Sequence, residues 1–145
     1  MSRPIYETQA DRDNEQSIAS IIEARFNCTL HKMPPKYTLD FAAVRDNVVV
    51  AFVEAKQRKI PSAQYDEYMI SMNKLTAAKM LTQTTGLPCR LVIRWSDNVT
   101  KMIQLPPRDY EIRIGGSTRR GDWQDIEPLA YFKIADMKDI EDISE

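Results

Sequence analysis

Apolar positions follow a helical period near the start of the chain. Over residues 13–27 they recur every three or four positions, so Ile18 and Ile22 fall on one face of a helix whose N-cap we assign to Asp13. Glu15 lies in the middle of that apolar face. A carboxylate there either meets a cation, a metal ion or a hydrogen-bond network, or it points past the helix end into water.

A β-rich region follows this helix. A short strand is expected over residues 28–33, after which Pro34-Pro35 breaks the chain. Two longer β-rich runs cover residues 37–45 and 48–56, and Asp46-Asn47 between them is a turn signal. The pattern therefore predicts a hairpin of two antiparallel strands.

The register of this hairpin decides where two acidic residues lie. A two-residue loop would place Asp40 opposite Val53 and on the face away from Glu54. A three-residue loop, or a bulge with the same effect, places Asp40 opposite Glu54, and we predict this second register. Because side chains alternate along a strand, Lys56 shares the face of Glu54.

The second half of the chain combines one long helical segment with several short strands. Residues 61–85 are predicted to be helical, with a break near Ser71 and a stop at Gly86. The order of elements predicts an α/β or α+β fold with a mixed central sheet flanked by helices. The remaining predicted strands cover residues 89–95, 99–105, 110–114 and 128–134.

Length, composition and charge are those of one globular domain. The 145 residues are 43% hydrophobic and 28% charged, which is ordinary for a folded chain. We divide them into an N-terminal arm over residues 1–12, a single domain over 13–135 and an acidic tail over 136–145. The tail holds five acids and one base, so the rest of the chain carries +3. This balance permits nucleic-acid binding without requiring it.

Several kinds of site and location are not expected. No apolar run approaches the roughly 18 residues of a membrane span, and the polar N-terminus is unlike a secretory signal. We therefore expect a cytoplasmic protein with no membrane partner. Cys28 and Cys89 stand far apart and His31 is the single histidine, so neither a disulfide framework nor a zinc site is expected.

Asp40 and the tripeptide Glu54-Ala55-Lys56 form the most informative chemical pattern. Two carboxylates on neighbouring strands, with the Ala55 carbonyl between them, offer the oxygen ligands that a hard divalent cation prefers. Lys56 adds a positive group near a scissile phosphate, which suits metal-assisted phosphodiester hydrolysis. Because Glu-x-Lys is a common tripeptide, the alternative is a solvated charge pair at an exposed strand end.

The residues around this pattern resemble the PD-(D/E)xK nuclease superfamily, whose restriction-endonuclease-like fold has an αβββαβ core. The resemblance covers about residues 13–96, although Leu39 stands where the family motif has proline. Gln64 and Tyr68 match the Gln-x-x-x-Tyr signature of a branch related to recombination exonuclease domains. The stretches YMISMNK, LPCRLVIRWSD and RRGDWQDIEP are similar to small standalone nuclease-like proteins of tailed bacteriophages.

The resemblance implies a role for each residue of the pattern. Asp40 and Glu54 would bind the metal ion, which would be Mg2+ with Mn2+ able to substitute, and Lys56 would be the catalytic lysine. Glu15 would be an auxiliary ligand or an acid that positions water. Residues implied to contact the substrate are Gln64, Tyr68 and Lys74.

The expected function is therefore a metal-dependent nuclease that hydrolyses DNA, encoded by a phage and acting in DNA processing or recombination. One alternative is a noncatalytic nucleic-acid-binding or assembly protein with the same fold. Another is a dimeric Holliday-junction resolvase, which leaves a homodimer open. A Gly-flanked loop with Arg119-Arg120 and Trp123 either contacts phosphate and stacks a base or is simply solvated.

Overall fold

The computed structural model describes residues 9–116 and 126–143. This part of the chain contains two α-helices, α1 (Gln9–Phe26) and α2 (Met72–Thr85), and nine strands. The strands are β1 (Thr29–Lys32), β2 (Phe41–Arg45), β3 (Val48–Gln57), β4 (Glu67–Ser71), β5 (Cys89–Arg94), β6 (Thr100–Leu105), β7 (Glu111–Gly116), β8 (Ile126–Lys133) and β9 (Lys138–Asp139).

A six-stranded mixed sheet organises the molecule. Its strand order is β1-β2-β3-β5-β6-β9, with β3 and β5 parallel and the other neighbours antiparallel. One hydrophobic cluster joins α1 to this sheet through Ile18 and Val53. A second cluster joins α2 and strand β8 to this sheet through Leu75 and Phe132. The predicted α/β fold with a mixed central sheet is confirmed.

The β2–β3 hairpin has the predicted register, and a bulge produces it. Asp46 and Asn47 form a two-residue turn with positive φ values of 53° and 65°. Beside the turn Val44 pairs with Val49, but the next pair along is Ala43 with Ala51, so one residue of β3 is left over. Beyond this bulge the strands keep the register that places position 40 opposite position 54.

A second, three-stranded antiparallel sheet has the order β4-β8-β7 and corrects one prediction. Residues 61–71 are not helical, because Tyr68 and Ile70 alternate with exposed neighbours and β4 pairs with β8. The predicted break near Ser71 is in fact the start of α2, where the Ser71 hydroxyl accepts from the Asn73 amide. The helix stops at Gly86, which has a φ of 75°, as predicted.

Both ends of the described chain differ from their predicted boundaries. The first helix starts at Gln9, and Asp13 lies inside it, accepting a hydrogen bond from the Gln9 side chain instead of capping. Residues 9–13 of this helix are exposed. The hydrophobic pattern of the sequence therefore does not indicate that the helix begins before Asp13. At the other end β9 pairs with β6, and Ile140 enters the core. The division into arm, domain and tail stays a proposal.

No helix within the described ranges is long and apolar enough to cross a membrane.

Candidate active site

Glu54, on β3, is a fully buried carboxylate with 0% exposure. Lys74 Nζ lies 2.9 Å and Lys56 Nζ 3.7 Å from its Oε2, so both lysines pair with this oxygen. Within the described part of the chain Oε1 accepts no hydrogen bond. Burial, followed by the charge of Asp40, raises the pKa of Glu54 to about 7, against the lowering effect of both lysines. The alternative of a solvated charge pair at an exposed strand end is therefore wrong for Glu54.

Asp40 lies just before β2, at the position that the hairpin register places beside Glu54. Its Oδ2 accepts a 2.9 Å hydrogen bond from the backbone N–H of Ala55. Its Oδ1 lies 3.4 Å from Lys32 Nζ, and its side chain is only 11% exposed. The backbone of β3 thus fixes one carboxylate oxygen, and a lysine on β1 lies near the other.

Glu15 projects from α1 toward the same place. Its Oε2 lies 2.5 Å from Lys32 Nζ, so it meets a cation and does not point past the helix end into water. Lys32 therefore bridges Glu15 and Asp40, a role that the sequence analysis missed. The β1–β2 pairing would have indicated it, because Lys32 pairs with Phe41 and so lies next to Asp40.

Two further lysines flank Glu54 from different elements. Lys56 shares its face of β3; burial acts to lower the pKa of Lys56, but Glu54 and the other nearby acidic groups outweigh it and raise this pKa. Lys74, in the first turn of α2, also donates a hydrogen bond to the Thr38 carbonyl. Lys74 was expected among the substrate contacts, and the structure places it against the buried acid.

Asp40, Lys56 and Lys74 line a cleft of about 460 Å³. Glu54 is not among its lining residues but pairs with two of them, Lys56 and Lys74. Gln64 is exposed on the loop before β4 and is not part of the cleft lining. Tyr68 is buried on β4 and lines a neighbouring cleft, and burial raises its pKa. The two residues of the Gln-x-x-x-Tyr signature therefore do not share a helix here. The residues brought together at the cleft are Glu15, Lys32, Asp40, Ala55, Lys56 and Lys74.

The donor set fits a hard divalent cation. Among residues 9–116 and 126–143 no three His, Cys, Asp or Glu side chains already form a cluster that could hold a metal ion, and lysines compensate the acids instead. However, the buried Oε1 of Glu54 has no hydrogen-bond partner among these residues, and the Asp40 side chain and the Ala55 carbonyl supply further oxygen ligands close by. Oxygen-only donors of this kind suit Mg2+ or Mn2+.

Arg119, Arg120 and Trp123, which were candidates for phosphate contact and stacking, lie outside the described residues.

The fold is that of the restriction-endonuclease-like nucleases. The solved structure of Hjc, a Holliday junction resolvase from the archaeal hyperthermophile Archaeoglobus fulgidus, matches it with a TM-score of 0.61. The match covers 88% of this chain and 87% of that chain at 9% sequence identity, so it shows a shared fold alone.

The chain belongs to the family described as "Phage putative PDDEXK endonuclease", which matches residues 1–140. The resemblance found in the sequence is thereby confirmed at the level of the family. No curated protein matches the chain.

Proposed function

We propose that the protein is a divalent-metal-dependent endonuclease that hydrolyses phosphodiester bonds in DNA. The observation that carries this proposal is the fully buried Glu54 carboxylate, which lies beside Asp40 and whose pKa is raised to about 7. Burying one acid beside another costs free energy of folding, so its presence points to a function. Metal binding at a site lined by Asp40, the Ala55 carbonyl and Lys56 supplies that function.

Each residue of the site has a distinct part in this proposal. Asp40, Glu54 and the Ala55 carbonyl would hold the cation, with Glu15 as an auxiliary ligand or a water-positioning acid. Bound there, Mg2+ or Mn2+ would polarise a phosphoryl oxygen and make an attacking water more acidic. Lys56 donates to the phosphate and stabilises the negative charge that develops during attack.

We assign Lys56 an electrostatic role. Its Nζ lies 3.7 Å from Oε2 of Glu54, and Glu54 and other nearby acidic groups outweigh the effect of burial and raise the pKa of Lys56. A charged ammonium has no lone pair to accept a proton from water, so we assign that proton to a carboxylate or to solvent.

The substrate class follows from the family and the fold. Family membership supports cleavage of DNA, and host-cell cytoplasm is the compartment in which a phage endonuclease of this kind would act. The fold shared with a Holliday junction resolvase makes four-way junctions a necessary test substrate. Cleavage of junctions would require a homodimer that presents two sites.

The experiment is a cleavage assay on plasmid, linear duplex and four-way junction DNA with Mg2+, with Mn2+ and with EDTA. We expect cleavage only with the divalent ions, and we expect Asp40→Asn and Glu54→Gln to reduce it at least about 100-fold. Circular dichroism and DNA binding should stay near those of the wild type. Binding without cleavage under every condition would favour the noncatalytic alternative.

A further inference from the structure

A second cleft, of about 480 Å³, adjoins the catalytic cleft. Arg58 lines both clefts and connects them. The second cleft is otherwise mostly aromatic and aliphatic, unlike the lysine-rich and acid-rich catalytic cleft. Its other lining residues are Ile60, Tyr65, Asp66, Glu67, Tyr68, Met69, Trp95, Tyr131 and Ile134.

The aromatic groups of this cleft differ sharply in exposure. Trp95 and Tyr68 are buried, whereas Tyr65 is 61% exposed and Met69 is also exposed. Tyr131 is held from one side by the Arg113 guanidinium, 4.4 Å from its ring centroid. An exposed tyrosine beside a cleft with fixed aromatic side chains offers a surface on which a flat ligand can stack.

The position of Arg58 relates this surface to the catalytic lysine. Arg58 follows Lys56 by two residues, and its backbone N–H continues the pairing of β3 with β5 by donating to the Arg94 carbonyl at 2.8 Å. Two residues of extended chain span about 7 Å, so Arg58 lies close to Lys56 along the strand direction. The Arg58 guanidinium lies 4.8 Å from the Tyr68 ring centroid, so a cation stands between the two clefts.

We propose that this second cleft binds the base of an unpaired nucleotide, next to the phosphate that Lys56 contacts. The protein would then act on DNA that is single-stranded at the cut, such as a flap, a branch or a single strand. This inference rests on the proposed function and adds the substrate class to it.

Charge and stacking both favour a base over a phosphate in this cleft. Asp66 and Glu67 line the cleft, and Arg58, its one lining cation among the described residues, also lines the catalytic cleft, so a phosphate here would meet two acids and one shared guanidinium. A base within a duplex has both faces covered by its neighbours. A base must leave the stack before it can contact Tyr65. The free energy needed for this is lowest when the base is unpaired in a single strand.

The test compares binding of labelled oligo(dT) and of a blunt duplex in EDTA, so that no cleavage occurs. We expect Tyr65→Ala to raise the Kd for oligo(dT) about tenfold and to leave the Kd for the duplex within about twofold. Tyr65→Phe should restore the wild-type Kd, because the ring and not the hydroxyl stacks. Met80→Ala is the matched control, since Met80 is also 61% exposed but belongs to the lining of neither cleft.

Two outcomes would overturn the inference: an equal effect of Tyr65→Ala on both ligands, and no effect on either. Cleavage assays keep this result separate from the proposed function. If the wild type cleaves no DNA but Tyr65→Ala still weakens oligo(dT) binding selectively, the nuclease proposal fails and the base-binding cleft stands. If the wild type cleaves and Tyr65→Ala affects both ligands alike, only the base-binding cleft is rejected.

Discussion

Lys74 Nζ lies 2.9 Å from Oε2 of Glu54, so a lysine at the start of α2 is paired with the fully buried acid of β3. This pair joins two elements that lie far apart in the chain. It also supplies positive charge at this carboxylate, beside Lys56 at 3.7 Å. The protein therefore compensates its buried acid with two ammonium groups of the described chain.

Replacing Lys74 should destabilise the protein. Removing one partner of a buried ion pair typically costs about 3–5 kcal/mol, and because the Lys74 side chain is 24% exposed we expect about 2 kcal/mol for Lys74→Met. Urea unfolding at pH 8 in EDTA measures this loss. Lys79→Met is the control, since Lys79 is an exposed lysine on the same helix. Equal midpoints for the two variants would contradict the prediction.

The stability of the metal-free protein should fall as pH rises through the range set by Glu54. Its pKa is about 7 in the folded state and 4.5 without burial, so between these values the folded state binds more protons than the unfolded state. The contribution of Glu54 is thus fully present below pH 4.5 and is lost as pH approaches 7, by about 3 kcal/mol at most.

Other groups also titrate in this range, so the measured quantity is the difference between wild type and Glu54→Gln. The free energy of unfolding is determined in EDTA at several pH values between 4.5 and 8. We expect the difference to change steadily across this range and to level off above pH 7. A constant difference would mean that the pKa of Glu54 is not raised.

Removing Lys32 should strengthen metal binding. Lys32 Nζ contacts both Glu15 and Asp40, so a divalent cation that binds these acids must compete with an ammonium group. Titration calorimetry with Mn2+ should give a Kd several-fold lower for Lys32→Met than for the wild type. Lys36→Met, at an exposed position nearby, should leave the Kd unchanged. A weaker affinity in Lys32→Met would show that the lysine organises the acids for the metal.

Lys56 should matter for the reaction and much less for binding of the metal. We expect Lys56→Met to reduce kcat at least about 100-fold, because a charged donor to the developing phosphate charge is lost. Calorimetry with Mn2+ should show an affinity equal to or tighter than that of the wild type, since Lys56 lies 3.7 Å from Glu54 and disfavours a second cation there. An unchanged kcat would remove Lys56 from the proposed mechanism.

The strands and acids of the site were predictable because local signals specify them. Asp46-Asn47 marks the turn, and the alternation of β3 gives Glu54 and Lys56 one face. The position of Asp40 depends on the register of the β2–β3 hairpin. The expectation that Asp40 and Glu54 bind one cation decides between the two possible registers. Glu54 occupies a strand position where packing alone would favour an apolar residue, and its side chain is indeed buried.

Other parts depended on contacts between distant segments. The strand β4 was predicted to be helix because residues 62–71 contain no Gly or Pro, so the predicted break near Ser71 separates them from α2 only weakly. Pairing with β8 makes residues 67–71 extended. Lys32 and Lys74 reach the site from separate elements, and neither has a sequence spacing that relates it to Glu54. Long, flexible lysine side chains can approach an acid from many backbone positions, so their partners follow from the fold.

The extra residue of β3 near Val50 makes the placement of Asp40 beside Glu54 sensitive to the length of the neighbouring strand. Deleting Ala43 from β2 while this bulge persists would bring Asp40 opposite Val53. The two acids would then project from opposite sides of the sheet, although both would still be encoded. Deleting Val50 itself would instead leave Asp40 opposite Glu54. A screen of single-codon deletions should therefore find β2 less tolerant than the bulge residue of β3.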